Sequence, residues 1–210
     1  MSETHEAVGA FWKWFESNST ILSTEKDPDA DAWNEAFDEL HRVHPRLFYE
    51  FCIPTDSANS CEFVVTAAGN ADLFPIVDSL VAHAPVIAGW EFVALKPCLG
   101  FEFQTEYEGI HFDPKKIWFM PMTHDQKPKY LGVLLGIPNY KMEIHKKALA
   151  ASAIILDTGL GERSAAMDIQ FLDVGALPTD PGTEGFMELS ELPDYIQFRK
   201  KNIRRERYND

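Results

Sequence analysis

The stretch from Ala82 to Pro97, AHAPVIAGWEFVALKP, carries the strongest signals for how the chain folds. Pro85 cannot continue a helix, because proline lacks an N–H donor and its ring clashes with the preceding turn. Gly89 permits a tight turn, and Trp90 opens an apolar run typical of a strand. We therefore predict a helix followed directly by a strand, with Trp90 anchoring that strand to aromatic helix faces. If Trp90 is a core residue, its truncation to alanine is expected to lower the free energy of unfolding by about 3–5 kcal/mol.

The residues before this stretch predict a pair of helices and a β-hairpin. Apolar residues at spacings of three and four place helices near residues 11–22 and 33–43, and Pro45 ends the second. Runs of strand-forming residues at 47–53 and 61–67 follow, separated by turn residues. A third helix from Phe74 then reaches the opening stretch, with Pro75 tolerated in its first turn.

The residues after the stretch predict a similar series. Alternating residues indicate a strand at 101–107, then strands at 116–122 and 130–137, a helix at 142–156, a strand around 167–171 and a final helix at 190–208. Residues 47–107 and 115–174 thus share the order strand, strand, helix, strand. We expect an α+β fold with a mainly antiparallel sheet built from two β-β-α-β units, ferredoxin-like, together with an N-terminal helical hairpin and a C-terminal helix.

Domain organisation is less sharply specified by the sequence. A single α+β domain over residues 1–210 is the prediction, with 47–107 and 115–174 as pseudo-repeat halves. No Gly/Ser-rich or strongly charged linker separates the halves, so one curved sheet and two subdomains both fit. No long apolar run and no secretory signal is present, which predicts a cytoplasmic protein without a membrane partner. Three cysteines in so long a chain predict reduced thiols.

Charge is distributed unevenly along the chain. The formal net charge is -14, yet residues 199–207 hold six basic residues and one acidic residue, which leaves -18 for residues 1–198. An acidic body repels phosphates, so nucleic acid is not an expected partner. The basic tail is explained by the negative end of the last helix, which favours positive side chains.

Several short motifs together resemble a known family. They are FWKWF at 11–15, LFYEF at 47–51, FVVTAAG at 63–69, Phe74-Pro75, Ala84-Pro85 with Gly89-Trp90, and Leu160-Gly161-Glu162. The combination is similar to a bacterial family known only as a domain of unknown function. The resemblance implies a bacterial cytoplasmic protein, and it implies no catalytic, cofactor or metal residues.

Motifs for catalysis and cofactor binding are weak. His41 and His44 lie three residues apart, but a zinc site needs further ligands, and two histidines also suit a helix C-terminus. The segment GLGERS at 159–164 fails the dinucleotide fingerprint, because a strand is expected after it and Glu162 places negative charge where a pyrophosphate binds. We interpret Gly159 and Gly161 as left-handed residues ending the preceding helix. No catalytic residue, metal or cofactor is predicted, and an enzyme is the less favoured class.

One set of polar residues predicts a binding surface. If Phe101 and Phe103 face the core, then Glu102, Gln104 and Glu106 lie on the opposite face, joined by Asp168 and Gln170 from the later strand. Such an acidic face suits a basic protein partner, which makes the leading hypothesis a non-enzymatic inhibitor or immunity-like module. The alternative explanation of the same residues is a solvated face with no partner.

The competing hypothesis is a small-ligand-binding protein or a hydrolytic enzyme. Its pocket would be lined by Trp90, Trp118 and His124 with neighbouring acids. A homo-oligomer assembled through exposed aromatic residues such as Trp12 is compatible with either hypothesis.

Overall fold

The computed structural model describes residues 2–27, 30–54, 60–123, 127 and 130–206. Runs of helices and runs of strands follow one another along them, and the strands form several small sheets, which confirms the α+β class. The chain divides into two compact units, Met1–Lys96 and Pro97–Asp210, and the boundary falls at the end of the AHAPVIAGWEFVALKP stretch. A single domain over residues 1–210, with halves 47–107 and 115–174, stays a prediction.

The described part of the first unit contains three helices around one three-stranded sheet. The helices are α1 (Ser2–Leu22), α2 (Asp31–Val43) and α3 (Phe74–Ala82), and the strands are β1 (Phe48–Cys52), β2 (Cys61–Thr66) and β3 (Trp90–Ala94). β1 pairs antiparallel with β2, whereas β3 pairs parallel with β2 on its other side. The pairing is parallel because α3 crosses between the two strands, and a parallel neighbour requires such a crossover.

Aromatic rings fill the core of the first unit. Phe11, Phe15, Trp33 and Phe63 are completely buried. The Phe15 and Phe63 ring centroids lie 4.9 Å apart with the rings edge-on, an arrangement that aromatic quadrupoles favour. α1 packs against α2, as the predicted helical hairpin requires, and both supply rings to this core.

The stretch AHAPVIAGWEFVALKP folds as its residues predict. α3 ends at Ala82, Gly89 adopts a φ of 80°, and β3 begins at Trp90. The Trp90 ring packs edge-on against Phe15 at 4.9 Å, and its Nε1 donates to the Ser19 carbonyl oxygen at 3.3 Å. The predicted anchoring of this strand to the aromatic face of α1 is confirmed.

The expectation that Trp12 is exposed is wrong. The side chain is only 4% exposed, and its Nε1 donates to the carbonyl oxygen of Leu80 at 2.8 Å. Trp12 thus joins α1 to α3, because burying an indole ring stabilises the fold only if the N–H finds an acceptor. Trp12 offers no surface for self-association.

The described part of the second unit has a separate set of elements. Its strands are β4 (Thr105–Tyr107), β5 (Ile110–Phe112), β6 (Trp118–Thr123), β7 (Leu131–Ile137), β8 (Phe171–Ala176) and β9 (Met187–Glu188), and its helices are α4 (His145–Leu160), α5 (Glu162–Asp168) and α6 (Leu192–Glu206). β4 and β5 form a small hairpin, and the other four strands form a sheet in the order β8-β7-β6-β9. The core is mostly aliphatic, with Val133, Leu135 and Ile155 wholly buried.

Helix and strand order partly repeats between the units. β6 and β7 pair antiparallel, and after α4 and α5 the chain adds β8 parallel to β7. The first unit follows the same order with β1, β2, α3 and β3. Of the six strand pairings among described residues, four are antiparallel.

Two predicted strands differ from the observed ones. Of the strand expected at 101–107, only 105–107 has strand hydrogen bonding, although burial alternates along the whole segment. The strand expected around 167–171 is wrong over most of its length, because α5 extends to Asp168 and β8 starts at Phe171. Apolar residues at alternating positions over so short a run do not distinguish a helix end from a strand.

One of the two glycines of the GLGERS segment has a different role from that expected. Gly161 has a φ of 78° and ends α4, as predicted, but Gly159 lies inside the helix. The ring of Phe101 packs where a side chain at residue 159 would lie. The segment 98–99 is held at the same place, since Cys98 Sγ and the Leu99 N–H donate to the Gly159 and Thr158 carbonyl oxygens. Gly159 is therefore a packing residue.

The described helices include none that combines the length and apolar character needed to cross a bilayer.

Candidate functional site

The predicted acidic face is spread over several elements of the second unit. Glu102 and Gln104 precede β4, and Glu106 lies within it. Asp168 is the last residue of α5, and Gln170 lies between α5 and β8 rather than on a strand. Both nitrogen and oxygen of the Gln170 amide are engaged, since Nε2 donates to the Met167 carbonyl and Oε1 accepts from the Leu131 N–H.

Each carboxylate of that predicted face has a cationic or titratable neighbour in its own unit. Glu102 contacts Lys115, the Glu106 carboxylate lies 3.2 Å from His111, and Asp168 lies 2.7 Å from the Lys200 ammonium. The hydrogen bond from Lys115 to Glu102, with the charge of that carboxylate, raises the pKa of Lys115. Local cations lower the negative potential that an incoming basic protein would meet, so this face is a weaker acidic surface than its sequence indicates.

Negative charge is concentrated in the first unit. Residues 1–96 contain 16 acidic and five basic residues, a formal charge of -11. Residues 97–210 contain 17 acidic and 14 basic residues, a formal charge of -3. Five cations cannot neutralise 16 carboxylates one for one, so the first unit keeps an excess of negative charge whatever its side-chain rotamers.

Part of this excess forms a row along α2. Asp31, Glu35 and Asp38 are exposed, and their spacing of four and three residues puts them on one face of the helix. The opposite face buries Trp33 and Leu40 against the core. We call Asp31, Glu35 and Asp38 the acidic stripe, and the core packing of α2 fixes its orientation on the first unit. The spacing of these three acids along a predicted helix is a sequence signal that could have identified the row. The predicted acidic face used instead the alternating residues Glu102, Gln104 and Glu106.

A second group of acids lies on the sheet of the first unit. Glu62 of β2 and Glu91 of β3 are direct partners in the parallel register. Glu50 on β1 points to the same sheet face, because it pairs with Val64, two residues beyond Glu62, and its carboxylate lies 3.7 Å from the Lys96 ammonium. Like charges facing each other across strands are unfavourable, so this arrangement lowers the stability of the sheet slightly.

The three residues of the predicted pocket are not gathered in one unit. Trp90 begins β3 of the first unit and Trp118 begins β6 of the second. His124 lies outside the described residues. Each tryptophan has a role in its own sheet: Trp90 packs on Phe15, and Trp118 pairs with Gly136 of β7 and Glu188 of β9.

A cleft of about 290 Å³ exists elsewhere in the second unit. It lies where the end of β5, the short 3-10 turn Pro114–Lys116 and the end of β7 meet. Phe112, Ile117 and Ile137 line its apolar part, and each is at least 95% buried in the core of the unit. Polar groups at its rim are those of Gln104, His111, Asp113, Lys116 and Asn139. Only Gln104 among them belongs to the predicted site.

The histidine pair considered for a metal has structural partners. His41 Nε2 is 3.1 Å from the Leu47 carbonyl oxygen, and its ring lies 3.9 Å from that of Phe37. His44 Nδ1 accepts from the Arg46 N–H at the end of α2. Among the described residues, no three His, Cys, Asp or Glu side chains are grouped closely enough to hold a metal ion.

The cysteines are unpaired thiols, as the chain length suggested. Cys52 pairs in register with Glu62, so the side chain of Cys61 points to the opposite face of the sheet. Burial, together with the nearby Cys52, raises the pKa of the Cys61 thiol. A raised pKa lowers the thiolate fraction, which makes Cys61 a poor nucleophile.

The GLGERS segment does not form a dinucleotide site either. Of the two arguments made against such a site, the expectation of a strand after the segment was wrong. A helix, α5, follows Gly161 where a strand was expected. The element before it is the helix α4 instead of the strand that the fingerprint requires, and Glu162 is completely buried at the start of α5.

Comparison of the chain with protein-family models, with curated proteins and with solved structures finds no match in any of the three. Functional inference therefore depends on the charge and geometry of the chain's own residues.

Proposed function

We propose that the protein is a non-enzymatic binding module of the inhibitor or immunity type, which holds a basic protein partner against an acidic surface. The observation that carries the proposal is the charge of the first unit, -11 from 16 acidic and five basic residues. Charge of one sign attracts partners of the opposite sign and excludes nucleic acids, whose phosphates it repels.

The acidic stripe is the surface that we assign to this partner. Asp31, Glu35 and Asp38 are exposed and lie on one face of a helix whose other face is held in the core. A preorganised row of carboxylates loses little conformational freedom in its backbone on binding, which favours affinity. The face formed by Glu102, Gln104, Glu106, Asp168 and Gln170 stays a second candidate surface. It is weaker because Glu102 and Asp168 contact the ammonium groups of Lys115 and Lys200.

A capture experiment with matched variants tests the proposal. The triple variant Asp31→Asn/Glu35→Gln/Asp38→Asn removes the stripe charges while keeping side-chain size, and Glu102→Gln/Glu106→Gln serves as the control on the second unit. We expect cross-linking in a lysate of the native host to recover a basic protein with the wild type and the control, and to lose it with the triple variant. With that partner purified, the affinity should fall about tenfold or more in the triple variant and also decrease with added salt.

Equal affinity for the wild type and the triple variant would refute the stripe as the surface. If no basic protein is recovered with any of the three proteins, the binding-module proposal itself fails. Loss of affinity in the Glu102→Gln/Glu106→Gln protein alone would transfer the partner surface to the second unit.

We also propose a finer classification of the fold and origin. The repeated order of hairpin, helix and parallel strand supports two ferredoxin-like β-β-α-β units. The motifs FWKWF and LGE support membership in the bacterial family of unknown function, and with it a cytoplasmic location. Superposition of β1, β2, α3 and β3 on β6, β7, α4 and β8 in an experimental structure tests the first proposal, since unrelated helix placements would contradict it.

A further inference from the structure

The cleft of the second unit combines a rigid apolar floor with charges of both signs. Its floor residues Phe112, Ile117 and Ile137 are 3%, 1% and 4% exposed and belong to the core cluster of the unit. A floor made of core side chains is fixed before any ligand arrives, as in most small-molecule sites. The volume of about 290 Å³ is close to the lower limit of such sites, so the ligand is small.

Asp113 and Lys116 supply the opposite charges. Asp113 Oδ1 accepts from the Lys115 N–H at 3.2 Å, which fixes the carboxylate, and Oδ2 lies 3.3 Å from the Lys116 ammonium. The Asp113 side chain is 21% exposed and the Lys116 side chain is 72% exposed. The carboxylate is thus the inner charge and the ammonium is the outer one. Because a lysine side chain has a flexible four-carbon stem, the exposed ammonium can move aside to admit a ligand.

Charge considerations exclude several ligand classes. A simple anion would meet the fixed Asp113 carboxylate, and a simple cation would meet Lys116. A purely apolar molecule would leave the polar groups of Gln104 and Asn139 without water or ligand partners, which is unfavourable. A molecule with an ammonium and a carboxylate close together satisfies both charges, and an apolar substituent on it would contact the floor.

We propose that this cleft binds a free α-amino acid with an aliphatic side chain. The ligand ammonium takes the place of the Lys116 ammonium beside Asp113, and the ligand carboxylate pairs with the displaced Lys116. The amides of Gln104 and Asn139 provide both donors and acceptors at the rim. This site is independent of the acidic stripe, which belongs to the first unit.

Titration calorimetry with L-leucine and two analogues that each lack one charge tests the proposal. The analogues are 4-methylpentanoate, which lacks the ammonium, and 3-methylbutylamine, which lacks the carboxylate. We expect saturable binding of leucine and at least about tenfold weaker binding of each analogue, since charge-assisted contacts are roughly twice as strong as neutral ones. In NMR spectra, the methyl groups of Ile117 and Ile137 should shift with leucine, which locates the binding.

Variants separate the cleft from other surfaces. Asp113→Asn keeps an oxygen for the Lys115 N–H but removes the inner charge, and Lys116→Gln removes the outer one; each should weaken leucine binding about tenfold. Asp180→Asn and Lys201→Gln make the same changes at exposed positions outside the cleft and should leave binding unchanged. Gln104→Ala removes an amide from the rim, leaves the hydrogen bond from the Lys115 N–H to Asp113 intact, and should also weaken leucine binding.

Three outcomes would overturn the proposal. They are absence of leucine binding at concentrations up to about 10 mM, equal affinity for leucine and the one-charge analogues, and unchanged affinity in a folded Asp113→Asn or Gln104→Ala protein.

Discussion

The two units fold a similar order of elements with different side chains. In the first unit, aromatic rings from α1, α2 and the strands form the core, whereas in the second unit β6, β7, α4 and β8 enclose mainly branched aliphatic residues. Their charges also differ, at -11 and -3. Element order is set by hydrophobic patterning and by turn positions, so it tolerates a change of core chemistry that conserves volume and burial.

The difference between the cores predicts different sensitivities to truncation. Each aromatic side chain buries more area than an aliphatic one, so the stability of the first unit depends on fewer core residues. Among the described glycines of the second unit, Gly159 leaves the least room for a side chain, because the ring of Phe101 packs beside it.

Trp33→Ala should be the most destabilising change in the first unit. The ring is completely buried, stacks on Phe51 at a centroid distance of 3.8 Å, and donates through Nε1 to the Glu25 carbonyl oxygen. We expect the free energy of unfolding to fall by about 3–5 kcal/mol. Urea denaturation followed by far-ultraviolet circular dichroism measures it.

Trp90→Ala is the matched comparison for Trp33→Ala. Trp90 is only half-buried, so the loss should be about 2 kcal/mol rather than the 3–5 kcal/mol that its sequence position predicts. Equal losses of unfolding free energy in the two variants would show that burial does not determine how much each tryptophan stabilises the unit.

Gly159→Ala should be the next largest effect, in the second unit. A methyl group at residue 159 would overlap the ring of Phe101, and overpacking of this kind costs about 1–3 kcal/mol. Adding Phe101→Leu should recover part of the loss. Gly175→Ala is the control, because its methyl group would meet Leu134 at an ordinary 3.7 Å. A Gly159→Ala protein as stable as the wild type in thermal melts would contradict the packing role of this glycine.

Alkaline pH should weaken the first unit through Tyr49. Burial raises the pKa of Tyr49 to about 12 from 10.0, and its hydroxyl donates to the Trp33 carbonyl oxygen at 2.7 Å. The folded protein therefore holds this proton more tightly than the unfolded chain does, so the free energy of unfolding should fall as pH rises from 10 to 12. Tyr49→Phe should remove this part of the pH dependence, measured as the difference between urea denaturation series of the two proteins. If the unfolding free energy of the wild type and of Tyr49→Phe changed with pH in the same way, the raised pKa of Tyr49 would be contradicted.

Charge neutralisation should have the smallest effects, of opposite sign in the two units. Glu91→Gln relieves the repulsion from Glu62 and should stabilise the protein by about 0.2–1 kcal/mol. Glu102→Gln removes the contact with Lys115 and should destabilise the protein slightly, because an exposed ion pair contributes little to stability. Both differences should shrink at high salt, because screening weakens exposed charge interactions. Changes of the same sign in both variants would contradict this contrast.

Local patterns were sufficient to locate most elements. The helix containing Trp33 and the strand starting at Trp90 agree with the structure to within a few residues, because periodicity and proline act within a single turn. The strand prediction for residues 167–170 was wrong because a short alternating pattern fits a helix end equally well.

The candidate sites were harder to predict than the fold. Glu102 and Glu106 were correctly expected on the exposed face of an alternating segment. Their neighbours Lys115 and His111 could not be identified, since no local pattern reports which cation packs beside a given carboxylate. The cleft also depends on the end of β7 meeting the end of β5 and the turn after it, and Ile137 is distant in sequence from Phe112 and Lys116.

Sequence patterns alone predict the α+β class, the two aromatic helices before the first hairpin, the helix end near Pro85 and the overall acidity. These properties follow from composition and from interactions between residues within a few positions of one another. The structure was needed to show that β3 and β8 pair parallel, that Gly159 lies beneath Phe101, and that Asp113 and Lys116 share a cleft with Ile137. Contacts of this kind join residues far apart in the chain, and no local rule specifies which distant side chains meet.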